Sequence, residues 1–238
     1  MDGNDVIVVG IDTSTSQTSV AIGTESEILA TVSVAGAARQ ESVTPLLQEL
    51  MRRCGLTLSR VGGVAVGIGP GLFTGLRVGV ATAKTIAQVA NVPLVGITSL
   101  DALAYAVRHT PRRIAAVIDA RRGEIFSAMY RAVPGGIVRE RDYEVHAPDR
   151  LAAEIQAMSG EVLAVGNGAM LYRHVLEEID SRVEFASPIA AHPNAAALVE
   201  LAVPRLMREE HDRLFDVVPL YLRKSDAEIA WDRRARGL

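Results

Sequence analysis

The sequence predicts an α/β protein built from two copies of one design, and two internal echoes carry that prediction. Residues 6–22 read as an apolar strand ending in Ile11-Asp12-Thr13-Ser14, a polar turn, and a return through Thr18-Ser19-Val20-Ala21-Ile22. Residues 114–130 repeat the plan with Ile118-Asp119-Ala120-Arg121 and a return from Ile125 to Tyr130, Asp119 falling 107 residues after Asp12. The second echo sets residues 63–69 against 161–168: in each, an aliphatic strand ends in Gly-x-Gly just before a helix, and Gly67 and Gly166 are 99 residues apart. Aliphatic strands ending in Asp or Gly are common in α/β proteins. Two echoes in the same order at similar separation argue for a duplicated half.

The elements between the echoes follow from periodicity. Residues 42–54 carry Val43, Leu46, Leu47, Leu50, Met51 and Cys54 at helical spacing, with Ser42 as N-cap, Pro45 in the first turn and Gly55 as the stop. A second helix is predicted over 75–90, before a strand at 93–97. Others are predicted near 101–108, 149–158, 170–179 and 194–208. The lobe boundary falls at Thr110-Pro111-Arg112-Arg113. This gives a first lobe over 1–109, a second over 110–223 whose last helix can pack back on the first, and a basic tail over 224–238. Two such lobes facing across a cleft define the ribonuclease H-like, actin-type ATPase (ASKHA) architecture. There the first hairpin turn and the Gly-rich strand ends point into the cleft, where phosphates meet backbone N–H groups.

Composition narrows the function. Aromatic residues are only 4%, so the core is aliphatic, as suits sheets covered on both faces. The single cysteine, Cys54, forbids an intramolecular disulfide, and no signal peptide or apolar membrane span is evident, so the expectation is the reducing cytoplasm. A net charge of −3 argues against gripping a nucleic-acid backbone alone. The five histidines are scattered and no Gly-x-Ser-x-Gly elbow occurs, so neither a metal site nor a serine hydrolase is expected.

Two motifs remain. Asp12, Thr13 and Ser14 could bind a phosphate or a divalent ion, but Asp, Thr and Ser are also good turn residues, and a vestigial or structural role is expected. The stretch 67–79, with Gly69, Gly71 and Thr74, lacks the Gly-Lys-Ser/Thr of a P-loop. As a dinucleotide turn it lacks a ribose-binding acid, since the next strand ends at Thr98-Ser99. The helix it feeds has one narrow polar stripe, Arg77, Lys84, Gln88 and Asn91, and more apolar surface than one sheet face needs. Either another helix of the chain or a protein partner covers the excess; the partner is expected, with Gly79 and Ala83 allowing close helix approach.

The blocks Gly10-Ile11-Asp12-Thr13-Ser14, Gly69-Pro70-Gly71-Leu72-Phe73-Thr74-Gly75-Leu76-Arg77-Val78-Gly79 and Pro219-Leu220-Tyr221-Leu222-Arg223 resemble the bacterial TsaB (YeaZ) family, over nearly the whole chain. Those proteins are dimerisation subunits of the tRNA threonylcarbamoyladenosine transferase complex and paralogues of its catalytic subunit TsaD. TsaD transfers threonylcarbamoyl to the adenosine 3′ of the anticodon in tRNAs reading codons that begin with A. The TsaD metal is held by a His-x-x-x-His pair whose places are taken here by Ser99 and Leu103. The resemblance therefore implies a non-catalytic subunit without a metal or other cofactor. It pairs with TsaD through its first two helices, here by Val43, Leu46, Leu47 and Leu50 and by Arg77, Gly79, Ala83, Ile86 and Ala87. It also implies contact with a TsaE-type ATPase and with tRNA only through the complex, and self-pairing through the same helices when TsaD is absent. Asp12, Thr13, Ser14, Gly69, Gly71, Thr74 and Asp119 form a vestigial cleft in this reading. The alternative is an autonomous actin-fold ATPase or small-molecule kinase. A peptidase, the third possibility, finds no nucleophile or metal set here.

Overall fold

The computed structural model describes residues 6–36, 43–179 and 181–223. The first lobe runs β1 (Ile7–Asp12), β2 (Gln17–Gly23), β3 (Ile28–Ala35), α1 (Val43–Arg53), β4 (Val61–Gly69), α2 (Phe73–Ala90) and β5 (Leu94–Thr98), followed by α3 (Ser99–Ala106). Its sheet has the order β3-β2-β1-β4-β5. The first three strands pair antiparallel, and β4 and β5 lie parallel to β1. The second lobe repeats this with β6 (Arg113–Arg121), β7 (Glu124–Val133), β8 (Gly136–Arg139), β9 (Glu144–His146), α4 (Pro148–Ala157), β10 (Val162–Val165), α5 (Asn167–Leu171), α6 (Arg173–Ile179), β11 (Val183–Phe185) and α7 (Ala195–Met207). Its order, read from the other edge, is β8-β7-β6-β10-β11, the same path with the same strand directions. The strand β9 pairs with the start of β7, beside β8. The duplicated, two-lobed ribonuclease H-like fold is present.

Each sheet is apolar on both faces because helices cover both. The run Ile-Val-Val-Gly-Ile of β1 is wholly buried. Val9 and Ile11 pack with α1 and α2, whereas Val8 packs with α7 on the opposite face. The lobes exchange helices: α7, from the end of the chain, packs on β1, β2 and β4, while α3 packs on β6 and against α7. The order of layers is α1/α2, first sheet, α7 and α3, second sheet, then α4 to α6. That places α1 and α2 on an outer surface.

The sequence-based boundaries shift by one to three residues at most helices, and α2 starts at Phe73 rather than Gly75. The helix expected over 170–179 is two short helices broken at Tyr172. Ser42 and the tail 224–238 lie outside the described residues. The edge of β5 is closed by side chains: Gly96 N–H donates to Asp212 Oδ2 at 2.8 Å, and Arg205 Nη1 donates to Gly96 O at 3.1 Å. No described helix is long and apolar enough to cross a membrane.

Candidate functional site

The first hairpin turn, which the fold class aims at a cleft, is closed off. Asp12, Thr13, Ser14 and Thr15 are all buried, and their hydroxyls and Asp12 Oδ1 are bonded within the chain. The Ser14 amide and hydroxyl both donate to Asp12 Oδ1, at 3.0 and 2.8 Å. Thr13 Oγ1 donates to Gly75 O at 2.7 Å, and Thr15 Oγ1 lies 3.0 Å from His192 Nδ1. Gly71 packs on the Ser14 carbonyl, which accepts the Leu72 amide at 2.7 Å. The glycine stretch thus folds over the turn and packs against its backbone. Gly69 is held elsewhere, at a φ of 102° against Leu76 and the Leu220 carbonyl, and Thr74 is exposed in the first turn of α2.

Burial governs the chemistry of the turn. Desolvation raises the Asp12 carboxyl to about 6 despite the two Ser14 bonds. Its Oδ2 has no hydrogen-bond partner and abuts the Cα of Gly67 on β4.

Asp119, at the matching turn of the second lobe, is tied to Arg121. Its Oδ1 accepts the Arg121 amide at 2.8 Å and its Oδ2 pairs with the guanidinium at 3.2 Å. Ser99 opens α3 with a fully buried hydroxyl that has no partner, and Leu103 is core. Between them Asp101 accepts Tyr130 OH at 2.7 Å and Tyr143 OH at 2.9 Å, fastening α3 to the second lobe. Burial and the Asp101 charge push the Tyr130 phenol well above its usual range. A Ser127–His146 pair, 2.8 Å apart, is buried and pins β9 to β7. Among the described residues no group of three or more His, Cys, Asp or Glu is placed to hold a metal.

The first two helices correct six of the nine residues of the sequence-based interface. Val43, Leu47, Leu50, Ala83 and Ala87 lie in the first lobe's own core, so their side chains cannot meet a partner. Gly79 makes room for Thr13 rather than for a foreign helix, since a Cβ there would overlap Thr13 Oγ1. Leu46 and Ile86 are half-buried. The apolar excess of α2 is therefore largely consumed inside the lobe. Its exposed positions are Thr74, Arg77, Ala81, Thr85, Gln88 and Val89, with Val78 and Thr82 half-buried, so Arg77 is the one charged side chain among the exposed ones.

Arg77 is exposed on α2, but it is anchored. Its guanidinium lies 3.9 Å from the Phe73 ring centre, and Nε donates to Tyr221 OH at 3.1 Å. Tyr221 stacks on Phe73 at 4.8 Å, and the Leu220 amide donates to Ile68 O at 2.7 Å. The glycine-rich block and the Pro219–Arg223 block are thus one cluster in space. The sequence displays both blocks, but nothing local in it joins them.

These features define a class: a duplicated actin-type protein whose cleft turn is filled by its own residues and whose first helix pair lies outermost. The model of the family described as "TsaD: tRNA N6-adenosine threonylcarbamoyltransferase" matches residues 31–231. The chain belongs to that family, in its TsaB (YeaZ) branch. It is 28% identical over 227 residues to the tRNA threonylcarbamoyladenosine biosynthesis protein TsaB of Bacillus subtilis, covering 94% of this chain and 97% of that one. The Escherichia coli protein of the same name is 27% identical over 95% and 97% of the two chains. The solved structure of YeaZ from Pseudomonas aeruginosa superposes with a TM-score of 0.77 at 26% identity, covering 91% of this chain and all of that one.

Proposed function

We propose that this chain acts in the biosynthesis of tRNA threonylcarbamoyladenosine as a non-catalytic subunit that binds and activates a TsaD-type transferase. The TsaD-type subunit transfers threonylcarbamoyl to the adenosine 3′ of the anticodon in tRNAs reading A-starting codons. The names of the relatives place them in that pathway. The observation that carries the non-catalytic part is the buried turn Asp12–Thr15, with Asp12 Oδ1 taken by Ser14, the Thr13 hydroxyl by Gly75 O and the Thr15 hydroxyl by His192. A phosphoryl- or acyl-transfer site needs donors free to meet developing charge. Here Ser14 N–H is already committed to Asp12.

Docking falls to the outward faces of α1 and α2, at Leu46, Arg77 and Ile86 together with Val78, Ala81, Thr85 and Val89. Short uncharged side chains on α2 let a partner helix approach closely. A TsaE-type ATPase and tRNA join through the complex, and self-pairing through the same helices is a weaker state of the isolated chain.

Reconstitution tests the reading. The purified chain alone should turn over neither ATP nor threonylcarbamoyl-adenylate. Adding it to the cognate TsaD-type and TsaE-type proteins should restore modification of tRNA that the two cannot sustain without it. ATP turnover by the isolated chain, abolished by Asp12→Ala, would instead establish an autonomous actin-fold ATPase or kinase.

A further inference from the structure

We propose that the docking surface of α2 continues onto the strap 214–222, whose outward apolar row contacts the same TsaD-type partner; this rests on the docking reading above. Within the strap, residues three apart share a face. Leu214, Val217 and Leu220 turn inward, Leu214 and Val217 packing with the core of the first lobe. Phe215, Val218 and Tyr221 turn outward, 80%, 58% and 42% exposed. In a chain with only 4 Phe and 5 Tyr, two of them stand on this one row. Apolar rows of this kind mark interaction sites, and aromatic residues with Arg are the usual energetic anchors of an interface.

The row is continuous with α2. Lys84 Nζ donates to Phe215 O at 3.3 Å, and Arg77 Nε donates to Tyr221 OH at 3.1 Å. Those contacts are seven residues apart on the helix, a rise of about 10 Å, so the strap lies alongside two turns of α2. A partner helix laid along Val78, Ala81 and Thr85 therefore meets the strap as well.

Charge selects the occupant. No acidic residue occurs in α2, which carries Arg77 and Lys84, and the strap is flanked by Arg213 with Asp216 as its one carboxylate. A second copy related by a two-fold axis would set this basic border against itself. A different chain, apolar at the centre and acidic at its rim, fits without that repulsion.

The test uses the full chain and calorimetric titration with the cognate TsaD-type subunit. Phe215→Ser combined with Val218→Ser should weaken binding at least about tenfold, as loss of interface anchors does. Both side chains are exposed, so the variant should keep the wild-type far-UV spectrum and melting temperature. Ala81→Arg, on α2 itself, is the separate control for docking. If it abolishes binding while the strap variant binds like wild type, the strap is outside the interface and this proposal is wrong, with the docking reading intact. If both variants bind like wild type, the docking reading fails and takes this one with it. If sedimentation shows that the strap variant loses only self-association, the occupant is a second copy and the proposal is overturned.

Discussion

Gly67 turns its bare Cα toward the carboxylate of Asp12, and a methyl group there would overlap Oδ2. The two residues sit side by side at the C-terminal ends of β4 and β1, where parallel strands of an open sheet usually present a ligand site. In this chain that place is filled from within. Gly67→Ala should destabilise the fold by about 1–3 kcal/mol through overpacking. Asp12→Ala, by removing the obstructing carboxylate, should recover most of that loss in the double variant. A double-mutant cycle in urea gives the coupling; strictly additive effects would contradict the contact.

The buried carboxyl also sets a pH dependence. Asp12 holds its proton up to about 6 in the folded chain, against 3.8 ordinarily. Its contribution to stability is complete below the lower value and is lost as pH rises through the upper one. Asp12→Asn has no such loss. The stability of the variant relative to wild type should therefore climb by up to about 3 kcal/mol between pH 4 and pH 7. Urea unfolding of both proteins across that range measures it, and a flat difference would place the Asp12 side chain in water.

The junction of the lobes depends on one acid. Asp101 accepts from Tyr130 and Tyr143 and takes its own amide bond to Thr98 Oγ1 at the start of α3. Asp101→Ala strands the buried Tyr130 hydroxyl and should cost about 2–4 kcal/mol, whereas Tyr143→Phe should cost about 1. Equal costs for the two changes in chemical denaturation would remove Asp101 as the organising residue.

Sequence patterns revealed the duplication because hairpins and strand-Gly-x-Gly ends are local. Asp12 and Asp119 sit at matching strand ends, and α1 and α2 follow their apolar periods. What periodicity cannot show is which buried face is covered by the chain itself. Ala83 and Gly79 read as a helix-contact stripe, yet they meet the first sheet and Thr13. The strands β3, β8, β9 and β11 escaped because three of them are four residues or shorter and β3 has no turn motif of its own. The Phe73–Tyr221 stack joins residues 148 positions apart, beyond any local pattern.

Asp101 on α3 and the neighbouring Leu103 also bear on the paralogy. Both point to packing roles, against the second lobe and in its core respectively. Neither Leu103→His alone nor Ser99→His with Leu103→His should confer transferase activity, because Leu103 is enclosed in the core. The expected outcome is loss of folded protein, measured by thermal melting; a soluble, metal-loaded double variant would contradict the packing.

On the docking proposed above, the transferase meets the outward face of α2 and not its buried one. Ala81→Arg tests it most directly, because Ala81 is exposed and the change leaves the core untouched. In size-exclusion chromatography with the cognate TsaD-type protein, the variant should stay folded and elute apart from it, while the wild-type chain co-elutes. Co-elution of the folded variant at the wild-type affinity would show that the transferase docks elsewhere.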